Sequence, residues 1–594
     1  MTEPVDFDGG APRSPRFGDI YFNPDDGLAE SRAVFLAGCG LPDAWAGRRR
    51  FTVGELGFGT GLNVLALLEL WARAKPADGR LHIFSVEAFP IAREDAARAL
   101  AAFPELAPFA APLLAAWPQG RTGGHTIELA PDVTLHLQVG EAAEALAGWT
   151  GRADAWFLDG FAPARNPRMW TPELMAQIAA HSAPGARVAT FTVAGAVRAG
   201  LQAAGFQVAR LPGFGRKKQR LQARFPGRPE ADRVPGRAAV VGGGVAGASL
   251  VRALQRQGWA TILVDSGRGD AASANPAALV TPRLDAGLGP AARLHAEAFA
   301  RACALIRQTA PHAVLAEGLV QFARTPQDVA RFDRLAAWTG FDPGALERLG
   351  PETASAALGE AAGEALRLCG GLVIEPAALL QAWLVGVERV EAQVARMVRE
   401  SETWRLLDAA GRPIGEAETV VIASGAGAAA LLPGFDLRPT RGQVSVADQV
   451  LPGAPSAFGG YAIPTRQGLL FGATHDRGDA GQDVREADHA RNLARLAEGR
   501  PALARSLAAS LADAPLRGRA AVRLATPDHL PLADEVDPGR FALTGLGGRG
   551  FTLAPLLAEH VAALLAGTPS PLSRDLAGLV RAARRTVRLE LRGA

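Results

Sequence analysis

From residue 50 the chain alternates short apolar runs with longer stretches whose apolar positions recur every three to four residues. RFTVGELGF (50–58), LHIFSVE (81–87), VTLHLQV (133–139), ADAWFLD (153–159) and ARVATFT (186–192) have the length and apolar density of strands. LNVLALLELWARA (62–74), AREDAARALAAF (92–103), EAAEALAGW (141–149), PELMAQIAAHS (172–182) and GAVRAGLQAAG (195–205) have helical spacing. Repeated strand–helix units predict a doubly wound parallel α/β sheet. FQVARLPGFGRKKQRLQARF (206–225) has the pattern of a hairpin, which predicts an antiparallel pair at one edge.

The rhythm restarts at residue 237. RAAVVGGGVAGASLVRALQRQGWATILVDSG (237–267) is a complete strand–helix–strand unit. Helical stretches follow near 291–309 and 377–398, strand-like pieces at 419–423, 441–446, 461–473 and 541–545, and an amphipathic helix at 552–567. This predicts an α+β domain in which the nucleotide fold is interrupted by a long insertion. FPGRPEADRVPGR (225–237), dense in Pro, Gly and charge, separates the halves. The expected organisation is a domain over 1–228, a linker over 229–237 and a second domain over 238–594. The length of 594 residues supports two large domains.

Composition narrows the class. Hydrophobic residues make up 48% of the chain, enough for packed cores, and Gly (68) plus Pro (42) stay below low-complexity levels. No apolar run is long enough to span a bilayer, and the first residues lack the apolar stretch of a signal peptide. The expectation is a cytoplasmic chain, monomeric, without membrane or DNA partners. The net charge of +3 does not announce a nucleic-acid binder. Cys39, Cys303 and Cys369 stand far apart without a CxxC pair, which argues against a disulfide framework or a metal site. The lysines are only Lys75, Lys217 and Lys218, and two of them fall in the hairpin. There Arg216, Lys217, Lys218, Arg220 and Arg224 form a basic strip suited to phosphate contact, or simply a solvated face.

Two glycine-rich turns carry the candidate chemistry. ELGFGTGLN (55–63) ends one strand and opens a helix, so Gly57, Gly59 and Gly61 let backbone approach a ligand while the helix offers free N–H groups. No GK[ST] follows, which excludes a Walker site. VVGGGVAG (240–247) supplies Gly242, Gly244 and Gly247 as GxGxxG, and Asp265 ends the next strand. That arrangement predicts a dinucleotide site with pyrophosphate at the helix N-terminus and ribose on the acid. It leaves NAD and FAD open.

The first turn resembles the opening motif of class I S-adenosylmethionine-dependent methyltransferases. The resemblance implies that Glu55, Gly57, Gly59, Gly61 and Asn63 hold the donor, with Glu87 on its ribose and Glu141 at its adenine. FGDIYFNPDDGLAESRAVFL (17–36), WFLDGFAPARNPRMW (156–170) and GFGRKKQR (213–220) resemble, more narrowly, the methyltransferase domain of the bifunctional tRNA 5-methylaminomethyl-2-thiouridine biosynthesis family. In the second half TVVIASGAGA (419–428) and FALTGLGGRGFTLAPLLAEHVAALL (541–565) resemble FAD enzymes of the D-amino-acid oxidase and glycine oxidase type. RGQVSV (441–446), YAIPTRQGLLFGATHDRGD (461–479) and VRLATPDHLPLAD (522–534) resemble the matching domain of the same bifunctional family. These resemblances imply FAD on Gly545, Gly547, Gly548, Arg549 and Gly550 as well.

They also imply a two-step reaction on a tRNA wobble uridine. FAD chemistry removes a carboxymethyl group from an amine, and methyl transfer then modifies the exposed amine. Asp159 is the candidate to orient that amine and take its proton. Arg441 and Arg523 are the candidates to hold the carboxylate bidentately, and Arg216, Lys217, Lys218 and Arg220 the candidates for RNA contact. One departure stands out: AASANPAALVTPRL (271–284) has Ala274 and Ala277 where the flavin family carries glycine, which would weaken the flavin site if those glycines admit the ring. The competing reading is a free amine or amino-acid oxidase with a non-catalytic N-terminal binding domain, and a third is an RNA-binding scaffold.

Overall fold

The computed structural model describes residues 2–7, 11–23, 26–215, 218–267, 269, 271–449, 453–511 and 515–584. They form two compact units, Met1–Val234 with Gly567–Arg574 and Pro235–Ala566 with Asp575–Ala594. The segment 567–574, which the sequence reading gave to the second domain, therefore belongs to the first unit. There Leu572 is buried and the Arg574 guanidinium donates to the Trp149 carbonyl. Nor is 229–234 a free tether. Asp232 accepts from Arg48 at 3.1 Å and from the Arg49 backbone N–H at 2.6 Å.

The first unit is built on an eight-stranded sheet. Its elements are β1 (Arg50–Leu56), α1 (Leu62–Ala74), β2 (Arg80–Glu87), β3 (Gly123–Ala130), β4 (Val133–Val139), α2 (Ala142–Gly148), β5 (Ala153–Leu158), α3 (Pro172–Ala180), β6 (Ser182–Thr190), α4 (Gly195–Ala203), β7 (Gln207–Pro212) and β8 (Gln219–Arg224). The order is β3-β4-β2-β1-β5-β6-β8-β7, with β4, β2, β1, β5 and β6 parallel. The predicted hairpin closes one edge as β8 and β7. The other edge, β3 antiparallel to β4, was not foreseen, because GGHTIELA lacks a continuous apolar run. Buried strands of a parallel sheet must be apolar on both faces. Accordingly Val53, Leu65, Leu81 and Leu135 fill one core, and Leu56, Phe84, Trp156 and Leu174 the other. Chain direction across the sheet reverses between β1 and β5, so a crevice opens beyond their carboxyl ends.

The second unit holds a six-stranded sheet. β9 (Arg237–Val241), α5 (Val245–Arg256) and β10 (Ala260–Asp265) are its nucleotide-type unit. After α6 (Pro290–Thr309), β11 (Glu388–Glu391), β12 (Thr419–Ile422), β13 (Leu532–Asp537) and β14 (Arg540–Thr544) complete the order β11-β10-β9-β12-β14-β13. The long helix α7 (Gly550–Ala566) is buried over most of its length against α5 and α6. The helix expected over 377–398 stops at Trp383. Gly386 takes a left-handed φ of 72°, and β11 then pairs in parallel with β10. A ten-stranded sheet built from the insertion carries the strands Arg438–Ala447, Tyr461–Thr465, Gly468–Gly472 and Arg517–Ala525.

Leu65, fully buried on α1, is expected to lose ~2–5 kcal/mol of stability on Leu65→Ala. Val385→Ala, at a position 75% exposed, should stay within about 0.5 kcal/mol. Urea midpoints of the two variants measure the contrast.

Candidate active sites

In the first unit a cavity of about 630 Å³ lies beyond the carboxyl ends of β1, β2 and β5. The β1–α1 turn forms part of its wall with Gly57, Gly59 and Asn63. All three glycines of the turn have positive φ, at 96°, 53° and 78° for Gly57, Gly59 and Gly61. A Cβ on Gly57 would stand 1.8 Å from the Asp159 carbonyl, so only glycine lets the two loops meet. Glu87 ends β2 and is clamped by the backbone N–H groups of Gly59 and Phe89, both at 2.9 Å. A carboxylate so fixed keeps further lone pairs for hydroxyl donors. Asp159 lines the same cavity and accepts from Asn63 Nδ2 at 2.7 Å, while Ser31 Oγ donates to Asn63 Oδ1 at 2.6 Å. The serine fixes the amide and the amide fixes the carboxylate.

Three residues expected on the donor are absent from the cavity wall, and of these Gly61 is the cap that opens α1. Glu55 is wholly buried behind the turn and is absent from the cavity wall, with Ser85 Oγ donating to it at 2.5 Å. Burial first, then the nearby Asp159 and Glu87 charges, pushes its carboxyl up to about 8, against the pull of the Ser85 and Asn63 hydrogen bonds. Glu141 pairs with Arg168 at 3.1 Å, and its neighbours Gly140 and Ala142 line the cavity in its stead. An aromatic wall that no motif announced completes the cavity. Phe17 lies 4.8 Å and Tyr21 5.2 Å from the Phe161 ring, and Phe17 5.7 Å from Phe89. Burial raises the Tyr21 phenol, so it stays protonated. The signal was the aromatic density of FGDIYF and DGFAP, which has no register of its own. In the hairpin Lys218 and Arg224 are exposed, whereas Arg220 donates to the Ala33 carbonyl at 2.8 Å. Arg216 and Lys217 lie outside the described residues.

In the second unit a cavity of about 530 Å³ follows the β9–α5 turn, β10 and the loop before α7. Gly242 has φ 110°, and a Cβ there would stand 2.6 Å from the Ala423 carbonyl. A Cβ on Gly247 would stand 1.8 Å from the Gly242 carbonyl, which sets how closely α5 meets β9. Asp265 accepts from the Gly243 N–H at 2.5 Å and the Gly267 N–H at 2.9 Å. Gly244, Gly545, Gly547 and Gly550 also line this cavity. The groove thus has the glycine turn, the helix N-terminus and the strand-end acid that characterise dinucleotide-binding folds. Ala274 and Ala277 do not intrude. Neither lines the cavity, and Ala277 is buried in an apolar cluster with Val373 and Val444.

Arg523 lines this cavity and an adjoining one of about 500 Å³ whose walls include Tyr461, Thr474 and Arg549. Arg549 and Gly548, expected on the cofactor, are absent from the 530 Å³ groove, and Arg549 donates instead to the Thr281 hydroxyl. Arg441, expected on the substrate carboxylate, lines neither cavity. It is fully buried, paired with Asp488, and donates to Gln443 Oε1 at 3.0 Å. Its strand pairs Thr440 with Arg523 and Arg441 with Val522, so the two arginines point to opposite faces of the sheet.

One Rossmann-like unit shaped for a methyl donor and one dinucleotide unit with a second cavity beside it define a fused transferase and oxidoreductase. Residues 104–226 match a family of S-adenosyl-L-methionine-dependent methyltransferases, and residues 237–564 the family of FAD dependent oxidoreductases. The glycine turn at 57–61 lies outside the first match and is supplied by the fold. The chain is 56% identical to the tRNA 5-methylaminomethyl-2-thiouridine biosynthesis bifunctional protein MnmC of Caulobacter sp. (strain K31), over 97% of this chain and 96% of the relative. It is 42% identical to the protein of the same name from Maricaulis maris (strain MCS10), over 96% and 94%. The crystal structure of glycine oxidase from Geobacillus kaustophilus aligns with 56% of this chain and 95% of its own, at 26% identity and a TM-score of 0.48.

The chain belongs to the MnmC family, and its cofactors are FAD and S-adenosylmethionine. Among the described residues no helix is long and apolar enough to cross a membrane, and no cluster of His, Cys, Asp or Glu could hold a metal.

Arg441→Ala would leave Asp488 buried without its partner. It is expected to cost about 3–5 kcal/mol of stability, read in urea, without moving the KM of the oxidative step. Glu55 gives a pH signature. Unfolded, the group ionises near 4.5, and folded it keeps its proton to about 8. Between those values the folded state binds more protons, so stability falls as pH rises from about 4.5 to about 8. Urea midpoints between pH 5 and pH 8 should decline less in Glu55→Gln, whose amide carries no proton to lose.

Proposed function

We propose that the second unit removes the carboxymethyl group from 5-carboxymethylaminomethyl-(2-thio)uridine at the wobble position of tRNA, leaving 5-aminomethyl-(2-thio)uridine. The first unit then methylates that amine to 5-methylaminomethyl-(2-thio)uridine. Bound FAD supplies a two-electron acceptor and bound S-adenosylmethionine an electrophilic methyl group. The chain supplies orientation, charge and exclusion of water.

The observation that carries the oxidative half is Arg523. Its guanidinium lines both the dinucleotide groove and the neighbouring cavity, which Arg549 also lines. No ion pair occupies either arginine among the described residues. A glycine-like carboxylate held there would set the C–H next to its nitrogen toward the groove. Hydrolysis of the oxidised C–N bond releases the two-carbon fragment as glyoxylate and leaves a primary amine.

For the methylating half, a free alkylammonium is mostly protonated near neutrality and has no lone pair to offer. Asp159, oriented by Asn63 and Ser31, stands where it can take that proton while Phe17, Tyr21 and Phe161 wall off water and hold a flat base. The tRNA partner rests on family membership and on this fit of an aromatic wall to a nucleobase.

Asp159→Ala is expected to lower methylation at least 100-fold while oxidation proceeds, so that the aminomethyl nucleoside accumulates. Arg523→Ala is expected to raise the KM of the oxidative step at least tenfold, with Arg523→Lys in between. Nucleoside mass spectrometry on tRNA treated with each variant checks both. Loss of both activities in either variant would contradict the separation of roles.

A further inference from the structure

Beside the cavity assigned to the reacting group lies another, of about 380 Å³, and the two share Arg523, Arg549 and His475 in their walls. Its lining is cationic to an unusual degree. Five arginines and three histidines face it, and among its described lining residues there is no Asp or Glu. Arg283 and Arg477 are exposed side chains in that wall, and neither makes an ion pair among the described residues. His295, on α6, is 3% exposed, lines the cavity, and has no hydrogen-bond partner on either ring nitrogen. Burial, then the Arg549 and Arg283 charges, lowers His295 to about 4, so it enters neutral chemistry as an uncharged ring with one N–H to donate. His529 adds a strained element. It is a non-glycine residue at φ 59°, held there by a turn in which Asp528 accepts from Thr526 Oγ1 at 2.9 Å and from the Leu530 N–H at 3.2 Å.

Arg438 is paired with Asp436 at 2.8 Å, but Arg283, Arg477, Arg523 and Arg549 have no ion-pair partner among the described residues. Like charges so gathered repel one another, and an unpartnered buried ring nitrogen costs free energy. Both penalties are relieved by one kind of ligand, an oxyanion rich in acceptor oxygens. A single carboxylate is already served by Arg523 with Arg549 in the adjoining cavity. A polynucleotide, however, presents a phosphate on each side of every nucleotide. A base cannot enter the adjoining cavity without bringing phosphates to its rim.

We propose that the cavity bounded by Arg283, His295, Arg477 and His529 is a phosphate-binding subsite that seats a backbone phosphodiester flanking the reacting nucleotide. The inference rests on the tRNA reading above and adds to it the place where the flavin-bearing unit grips the chain. Such a contact positions the substrate without reading its sequence.

The test uses the full-length holoenzyme and the double variant Arg283→Gln with Arg477→Gln, its fold checked by an unchanged flavin absorption spectrum. Binding of fluorescently labelled tRNA is followed by anisotropy over a series of chloride concentrations. Inorganic phosphate is then added as competitor, with chloride reduced to hold ionic strength constant.

The expected result is about tenfold weaker tRNA binding by the double variant. The slope of log Kd against log salt should be shallower by about one. Phosphate should compete with tRNA for the parent chain and not for the variant. Arg283→Lys with Arg477→Lys, which keeps the charge, should restore binding to within about threefold.

Unchanged tRNA affinity and slope in the glutamine variant would overturn the proposal, as would phosphate competition that persists in it. If phosphate binds the parent chain and not the variant, as seen by calorimetry, while neither binds tRNA, the tRNA reading fails. The phosphodiester source falls with it, leaving a site for free phosphate.

Discussion

Both sites depend on places where a chain passes so close to another that no Cβ fits. In the first unit the Gly57 turn touches the Asp159 carbonyl, and in the second Gly247 rests on the Gly242 carbonyl. Each contact draws a helix start and a strand end together, and the cavity beyond them is what remains. The acids that face these cavities, Glu87 and Asp265, are then fixed by N–H groups of the same turns. A loop that admits a side chain at Gly57 or Gly247 would lose the turn and the acid's orientation with it. The chemistry is thus held by backbone geometry first and by side-chain identity second.

Around that constraint the two units divide the electrostatic work. The first sets the carboxyl groups of Glu87 and Asp159 in the wall of an aromatic cavity, suited to a cationic donor and a nitrogen that must shed a proton. The second gathers guanidinium groups around a dinucleotide groove, suited to an anionic substrate. One half exposes an amine by removing a carboxylate-bearing fragment, and the other acts on that amine, so the opposed charge of the two sites follows the changing charge of one substituent.

The sequence made the local features legible. Glycine turns, the acids ending β2 and β10, and the strand–helix alternation are written in contiguous residues, and they led to the donor and dinucleotide sites. Quantities that depend on register were not legible. Arg441 and Arg523 sit on neighbouring antiparallel strands, and a one-residue offset in pairing sends one into the cavity and the other into a buried ion pair with Asp488. Glu55 and Glu141 look alike as acids flanking a strand, yet one turns behind the loop and the other toward Arg168. The helix expected beyond Trp383 failed because the pairing of Glu388–Glu391 with β10 outweighs local helical spacing. The cluster of Arg283, His295, Arg477 and His529 draws on four separated segments, and no motif announces it.

The central claim is that two chemistries on one chain act in order on one substituent. It is tested most directly by giving the intact protein tRNA that carries the carboxymethylaminomethyl group, first without S-adenosylmethionine and then with it, and following the wobble nucleoside by mass spectrometry. Ordered action predicts that the aminomethyl form builds up in the first phase and converts to the methylaminomethyl form in the second. Persistence of the carboxymethylaminomethyl form in the first phase, or a methylated product that still bears the carboxymethyl group in the second, would contradict it.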